Sequence, residues 1–450
     1  MNRREFLKGG ALAGVAAVAK GAAGAVPWSK EHEPEVADGV YALETLAGEP
    51  ILEAPAETSV GVAWAVSRLA TGSVEIADNP EFRDSRIVKS GGLQVAELDD
   101  RSLSVRVTGL KPATRYWYRT ITQEVVSHHH PLYAAIRTGE KAVGKTYSFV
   151  TPGAAGASRF AVLNDTHCQW DSFAFVAAAL KRMKAPLAIW NGDALNCTEN
   201  RRTAVEAFLH PDVPTKDYAA ETPLAFLYGN HEYGGQYASR IDEVMMARPQ
   251  GELTGEFAAL KWNFAIRQGE IALLGLDTGD GLHEDDLRGC GLGNYSAYRK
   301  LQAKWLAAAL ERPEIRSAPY AVVFCHIPLY NSGPNPNGGE APREKGCASW
   351  IREAQELWGP VLERHHVQLV IAGHEHLHRW DEDIPGYTWN QVLGGGPECG
   401  YGAGYKPDPQ YCPTVIEGEV KDGRLVITTH DVWRNKVLSV REFEKRKGSR

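Results

Sequence analysis

The sequence predicts an N-terminal all-β sandwich followed by an α/β domain, and three observations carry that reading. Between about residues 43 and 150, short alternating runs are separated by turn signals. From residue 159 the texture changes to apolar runs that alternate with helical patterns, which is the mark of α/β layering. Five of those apolar runs end in Asp, Asn or His. That arrangement sets ligand-type side chains along one edge of a sheet, beyond the carboxyl ends of its strands, where open α/β sheets bind.

Taken in order, the chain opens on an address. Asn2-Arg3-Arg4-Glu5-Phe6-Leu7-Lys8 precedes an Ala/Gly-rich run, Gly9 to Ala19, and then Ala23-Gly24-Ala25, a small-residue cleavage pattern. Residues 1–25 resemble a twin-arginine signal, which implies bacterial export to the periplasm or beyond through the twin-arginine machinery. Strands are then expected at Val60–Val66, Gly72–Ile76 and Leu103–Val107, each alternating as half-buried strands do. Leu110-Lys111-Pro112-Ala113-Thr114-Arg115-Tyr116 resembles the tyrosine corner of fibronectin type III domains, so residues 43–150 are expected to form such a sandwich. His128-His129-His130 reads as a solvated loop tip, and Ala154 to Ser158 as a linker.

In the second domain, expected at 159–430, Asp171 is the expected cap of a helix reaching Met183, with Phe173, Val176, Ala177 and Leu180 on one face. Ser296 is the expected cap of a helix to Leu310. Trp350 to Trp358 begins a third, with Pro360 as a kink or restart. Long glycine- and proline-rich connections near 233–260, 279–295, 331–348 and 394–412 are expected to be functional, because structureless loops of that length are uncommon in compact domains.

The chemistry lies at the strand ends. Phe160–Leu163 runs into Asp165-Thr166-His167, Leu187–Trp190 into Gly192-Asp193, and Leu224–Tyr228 into Gly229-Asn230-His231-Glu232. Ala321–Cys325 delivers His326, and Leu369–Ala372 delivers Gly373-His374-Glu375-His376. Carboxylate, imidazole and amide oxygen together suit divalent metals. One carboxylate can bridge two ions, and Asp193 stands at the centre of the set. That leaves Asp165, His167 and His376 for one metal and Asn230, His326 and His374 for the other. A metal pair of this kind activates water for in-line displacement at phosphorus.

The ordered blocks Asp-x-His, Gly-Asp-x-x-Asn, Gly-Asn-His-Glu, His and Gly-His-x-His resemble the calcineurin-like metallophosphoesterases. The resemblance implies an α/β metallophosphoesterase domain, a four-layer α/β/β/α sandwich, acting on phosphate mono- or diesters. It also implies that His231 donates a proton or hydrogen bond at the scissile phosphate, oriented by the residue at Asn196, a neutral group where that family often has aspartate. A β-sandwich before this domain is similar to the layout of purple acid phosphatases. Their ferric tyrosine ligand is replaced by Asn196 here, so the expected centre is a colourless pair of Mn, Zn or Fe(II) ions.

Composition bounds the rest. With 43% hydrophobic and 23% charged residues the chain is that of an ordinary globular protein, and no run past the N-terminus is long enough to span a membrane. The net charge of −7 becomes −10 without residues 1–25, since Arg3, Arg4, Lys8 and Lys20 leave with Glu5; a nucleic-acid partner is therefore not expected, and a small phosphorylated substrate is. Seven cysteines leave at least one unpaired; Cys399 with Cys412 is the expected disulfide, Cys168 and Cys197 a pair that can meet, and Cys325 a buried small hydrophobe. His365 and His366 suit a helix C-terminus, His378 has no matching motif position, Trp170 is a candidate pocket wall and Glu232 a candidate support. The alternative reading is an exported, non-catalytic binding protein in which the metal site is structural.

Overall fold

The computed structural model describes residues 43–447 apart from 92–95, 128–135, 211, 248–253, 280–290, 331–347 and 401–407. The segment expected to be a twin-arginine signal, the triple histidine, and most of the 279–295 and 331–348 connections lie outside the described residues.

The N-terminal β domain consists of β1 (Ile51–Ala56), β2 (Ser59–Ala65), β3 (Ala70–Ala77), β4 (Arg86–Lys89), β5 (Ser102–Thr108), β6 (Arg115–Ser127), β7 (Arg137–Val143) and β8 (Tyr147–Val150). One layer is β1-β2-β5; the other is β4-β3-β6-β7, with β8 also on β6. Between them pack Leu52, Val62, Trp64, Val74, Tyr118 and Phe149. The Tyr116 hydroxyl accepts a hydrogen bond from the Lys111 N–H at 2.9 Å, so the tyrosine ties down the corner that precedes its own strand.

The second domain contains β9 (Arg159–Leu163), α1 (Trp170–Met183), β10 (Ala188–Asn191), α2 (Arg201–Leu209), β11 (Leu224–Leu227), β12 (Phe264–Gln268), β13 (Ile271–Leu276), α3 (Tyr295–Leu310), α4 (Pro313–Arg316), β14 (Tyr320–Cys325), α5 (Ala348–Arg364), β15 (Leu369–Ala372), β16 (Arg379–Asp381), β17 (Asn390–Leu393), β18 (Thr414–Lys421), β19 (Arg424–Asp431) and β20 (Lys436–Phe443). The central strands β9, β10, β11, β13, β14 and β15 are almost wholly apolar because they are covered on both faces. Phe160, Val162, Ile189 and Leu227 from one sheet meet Leu273, Val322, Phe324 and Ile371 from the other, with Phe160 edge-on to Phe324. Helices α1 and α2 cover the outer face of the first sheet, and α3 and α5 that of the second. The order of layers is therefore α/β/β/α.

The two domains share a sheet. Its nine strands run β20-β19-β18-β9-β10-β11-β1-β2-β5, and β1 pairs in parallel with β11 through Glu53 and Leu224. This changes the reading of β2, which was expected to be half-buried and is buried at every residue. Val60, Val62 and Trp64 face the sandwich core, whereas Ala63 and Ala65 face the core beneath α1 and α2. Alanine on the second face looked like a solvent side and is a helix-packing side.

Helix ends also differ from expectation. Asp171 sits in the first turn of α1 instead of capping it, and Gln169 holds the cap position without a side-chain hydrogen bond. Asn294, not Ser296, precedes α3. Pro360 lies inside α5, which continues to Arg364. The sheet itself continues beyond residue 430, where β20 adds to it and ends at Phe443.

Candidate metal centre

Parallel β9, β10 and β11 stand in register, with Leu163 beside Trp190 and Trp190 beside Phe226. In the facing sheet Phe324 on β14 pairs with Ile371 on β15. All five strands therefore end at one level. The two edges are tied by Asn191, a buried residue in β10 that sequence reasoning passed over. Its Nδ2 donates to the carbonyls of Cys325 (3.1 Å) and Ile371 (3.2 Å), and its own carbonyl accepts from His326 Nδ1 at 2.8 Å.

At that edge the expected ligands converge. Ligand atoms of Asp165, His167, Asp193 and His376 lie within 4.8 Å of one another, and so do those of Asp193, His326 and His374. Asp193 belongs to both groups. Its Oδ2 lies 3.1 Å from His326 Nε2, 3.6 Å from His167 Nε2 and 3.9 Å from His231 Nε2. Asn230 Oδ1 completes the second group, 2.8 Å from His374 Nδ1.

The backbone is bent to allow this. Asp165, His167, Asp193, His374 and His376 all have φ between 47° and 72°, in the left-handed region that costs an ordinary side chain about 1–2 kcal/mol. Such strain persists only where surrounding contacts hold it. Glu232 is one of the holders. Fully buried, it accepts hydrogen bonds from the N–H groups of Gly229 (2.6 Å), Ala194 (2.8 Å) and Asp193 (2.9 Å). Burial and the Asp193 charge push its pKa up while those N–H groups pull it down. Asp165 is another, accepting from the His374 N–H at 2.9 Å and from Asn164. Gly229 has no substitute here, because a Cβ on it would lie 2.2 Å from Asp193 Oδ1.

The imidazoles are oriented by partners behind them. His167 Nδ1 meets Asn196 Oδ1 at 3.0 Å, and His376 Nδ1 meets Glu398 Oε1 at 2.8 Å. With both Nδ1 atoms donating, the two Nε2 lone pairs face each other at 2.9 Å, an arrangement that only a shared proton or a cation reconciles. Burial drives the pKa of His167 and of His374 down to about 3, which leaves neutral, metal-binding imidazoles. His326 Nε2 is buried without a well-formed hydrogen bond. The donor set and its pooled lone pairs fit divalent metal.

Asn196 requires a correction. It was expected to orient His231 through its side chain, but its main-chain carbonyl accepts from His231 Nδ1 at 2.8 Å, and the side chain serves His167. His231 is 38% exposed, with its N–H bonded to Asp193 Oδ1 at 3.0 Å. A cavity of about 420 Å³ opens beside Asn196, lined by Cys168, Cys197, Asn200 and Arg202 among others. Trp170 does not line it and packs instead on Phe173 and His210.

His378 donates to the Leu393 carbonyl at 3.2 Å, and His365 and His366 follow the end of α5; all three stand apart from the ligand groups. Among the described residues all five cysteines, Cys168, Cys197, Cys325, Cys399 and Cys412, are free thiols, so the expected Cys399–Cys412 bond is absent. Cys325 is buried, as expected. Glu398 was missed entirely.

Comparison with known proteins adds four findings. Residues 158–378 match the family model described as Calcineurin-like phosphoesterase. A curated relative, phosphoenolpyruvate phosphatase of Allium cepa, is 27% identical over 183 residues, which covers 39% of this chain and only 32% of the relative. The structure of a purple acid phosphatase from yellow lupin (Lupinus luteus) seeds superposes with a TM-score of 0.63 at 13% identity, over 91% of this chain and 76% of that one. The structure of PhoD superposes with a TM-score of 0.60 at 14% identity, over 88% of this chain and 90% of that one. These structural likenesses are likenesses of fold.

Proposed function

We propose that this chain, whose residues 158–378 form a calcineurin-like metallophosphoesterase domain, is an exported hydrolase of phosphate mono- or diesters that works with two divalent metal ions. One observation carries the reading: two groups of metal-binding side chains share the single carboxylate of Asp193. Asp165, His167, His376 and Asp193 would hold one ion, and Asn230, His326, His374 and Asp193 the other. Divalent metal bound there supplies Lewis acidity, acidifying water and neutralising phosphate charge.

The protein's own groups do the rest. Asn196 O fixes Nδ1 of His231 as a donor, which aims Nε2 into the site from its exposed side. In its protonated form His231 donates from Nε2 to the leaving oxygen as the ester bond breaks, and ends neutral. Glu232 fixes Asp193 and the Gly229–Asn230 turn in one frame, so that ligand and proton donor keep their separation.

The test is turnover of p-nitrophenyl phosphate and bis-p-nitrophenyl phosphate by metal-loaded protein, with metal content measured beside it. We expect two equivalents of metal, hydrolysis of at least one ester, and loss of both metal and activity in Asp193→Asn. Full metal occupancy without turnover of either ester would leave only the structural-site alternative. Export is tested by fractionating cells that carry Arg3→Lys with Arg4→Lys; retention of that variant in the cytoplasm is the expected result.

A further inference from the structure

Glu398 stands 22 residues beyond His376, in a connection with no hydrophobic periodicity, and has no obvious structural duty. Its Oε1 receives His376 Nδ1 at 2.8 Å, while its Oε2 is buried with no hydrogen-bond partner among the described residues. A carboxylate oxygen left bare in a fold costs stability. The fold keeps the loop close all the same: a Cβ at Gly396 would fall 2.6 Å from His376 Cγ, so the main chain presses on the ring and brings Glu398 to its rear nitrogen.

Two of the other imidazoles have neutral partners behind them. His167 has the Asn196 amide and His326 the Asn191 carbonyl. The charges around the two ligand groups are therefore unequal. Asp193 serves both groups, and Asp165 Oδ1 stands about equally far from His376 Nε2 (3.6 Å) and His326 Nε2 (3.7 Å), so the charge that distinguishes the two groups is that of Glu398 behind His376. We propose that Glu398 is a positioning residue for His376, and that its charge makes the Asp165/His167/His376 position the tighter of the two metal positions. The inference rests on the two-metal reading above. A carboxylate behind a metal-binding histidine fixes its tautomer and raises its basicity as a ligand, and removing such a partner weakens binding by about tenfold to a hundredfold.

The experiment is cobalt(II) titration of metal-free protein, followed by visible absorption and calorimetry, in the wild type, Glu398→Gln and Glu398→Asp. The wild type is expected to fill in two phases of different affinity. In Glu398→Gln only the tighter phase weakens, by about ten- to a hundredfold, while the melting temperature of the metal-free protein does not fall. Glu398→Asp, which keeps the charge, recovers part of the loss. Unchanged phases in the glutamine variant, equal weakening of both phases, or an aspartate variant no better than glutamine would each overturn the role of Glu398. A wild type that binds no cobalt would instead sink the metal centre itself.

Discussion

Glu53 on β1 offers a quantitative test of how the two domains are joined. It is fully buried where β1 meets β11, its main chain in register with Leu224 on one side and Gly61 on the other. Neither carboxylate oxygen makes a well-formed hydrogen bond. Burial pushes its pKa from 4.5 up to about 8, with the Met246 N–H and the Arg106 charge pulling weakly the other way. The folded protein therefore holds a proton that the unfolded chain releases between those values. Stability contributed by the neutral acid is complete below pH 4.5 and is lost as pH rises toward 8. At about 1.4 kcal/mol per unit, the 3.5-unit gap (8 − 4.5) amounts to about 5 kcal/mol, of which about 3 is already lost at pH 7. Glu53→Gln keeps the shape and removes the titration. Urea unfolding of both proteins from pH 5 to pH 8 should show near-equal stability at pH 5 and a gap that widens in favour of the variant as pH rises. Histidines and metal ligands titrate alike in both proteins and cancel in the difference. Parallel profiles would refute the reasoning, because they would mean that Glu53 is solvated or paired in solution.

Four further outcomes are expected. Glu232→Gln turns an amide N–H toward backbone donors that now meet a carboxylate, and should cost about 2–3 kcal/mol in urea unfolding together with loss of bound metal. Asn196→Ala removes the acceptor behind His167 but leaves the carbonyl that holds His231, so metal affinity should fall about tenfold while the pH profile of turnover at saturating metal keeps its shape. Tyr233→Phe takes a 2.7 Å hydrogen bond from buried Asp277, whose pKa burial already raises to about 6; that pKa should rise further, and stability above pH 6 should drop by about 1 kcal/mol. Chelation should lower the melting temperature reversibly, by an amount equivalent to about 2.7 kcal/mol for each ion whose free concentration had stood at a hundred times its dissociation constant.

The strand ends were legible because fully covered parallel strands are uniformly apolar, so a polar residue at the end of such a run declares itself. Asp165, Asp193, Asn230, His326 and His374 were found that way, and the structure brings them to one edge. Asn191 was hidden by the same logic, since one amide at the close of an apolar run looks like the start of a loop. Its function depends on a second sheet that the local sequence does not mention. Glu398 was invisible because its position depends on the path of a glycine-rich loop. The shared sheet was missed because alanine on β2 carries no sign of which side is covered, and only helices α1 and α2, distant in sequence, decide it. Asn196 was placed correctly and given the wrong atom, because residue type does not say whether side chain or main chain makes a contact.

The strained residues and the hydrogen bonds around them lead to one more consequence. Five residues of the candidate metal centre in left-handed conformation cost about 5–10 kcal/mol together at about 1–2 kcal/mol each. What holds them is protein alone: Glu232 on three N–H groups, Asp165 on the His374 N–H, and Asn191 between the sheets. Such hydrogen bonds contribute about 0.5–1.5 kcal/mol each, and more where an ionised carboxylate accepts, so the six together are of the same order as the strain without any ion. The frame is thus formed before metal arrives, and metal-free protein should show the same near-ultraviolet circular dichroism as the loaded form. Loss of that signal on chelation would mean that the ions, and not Glu232, Asp165 and Asn191, hold the ligands in place.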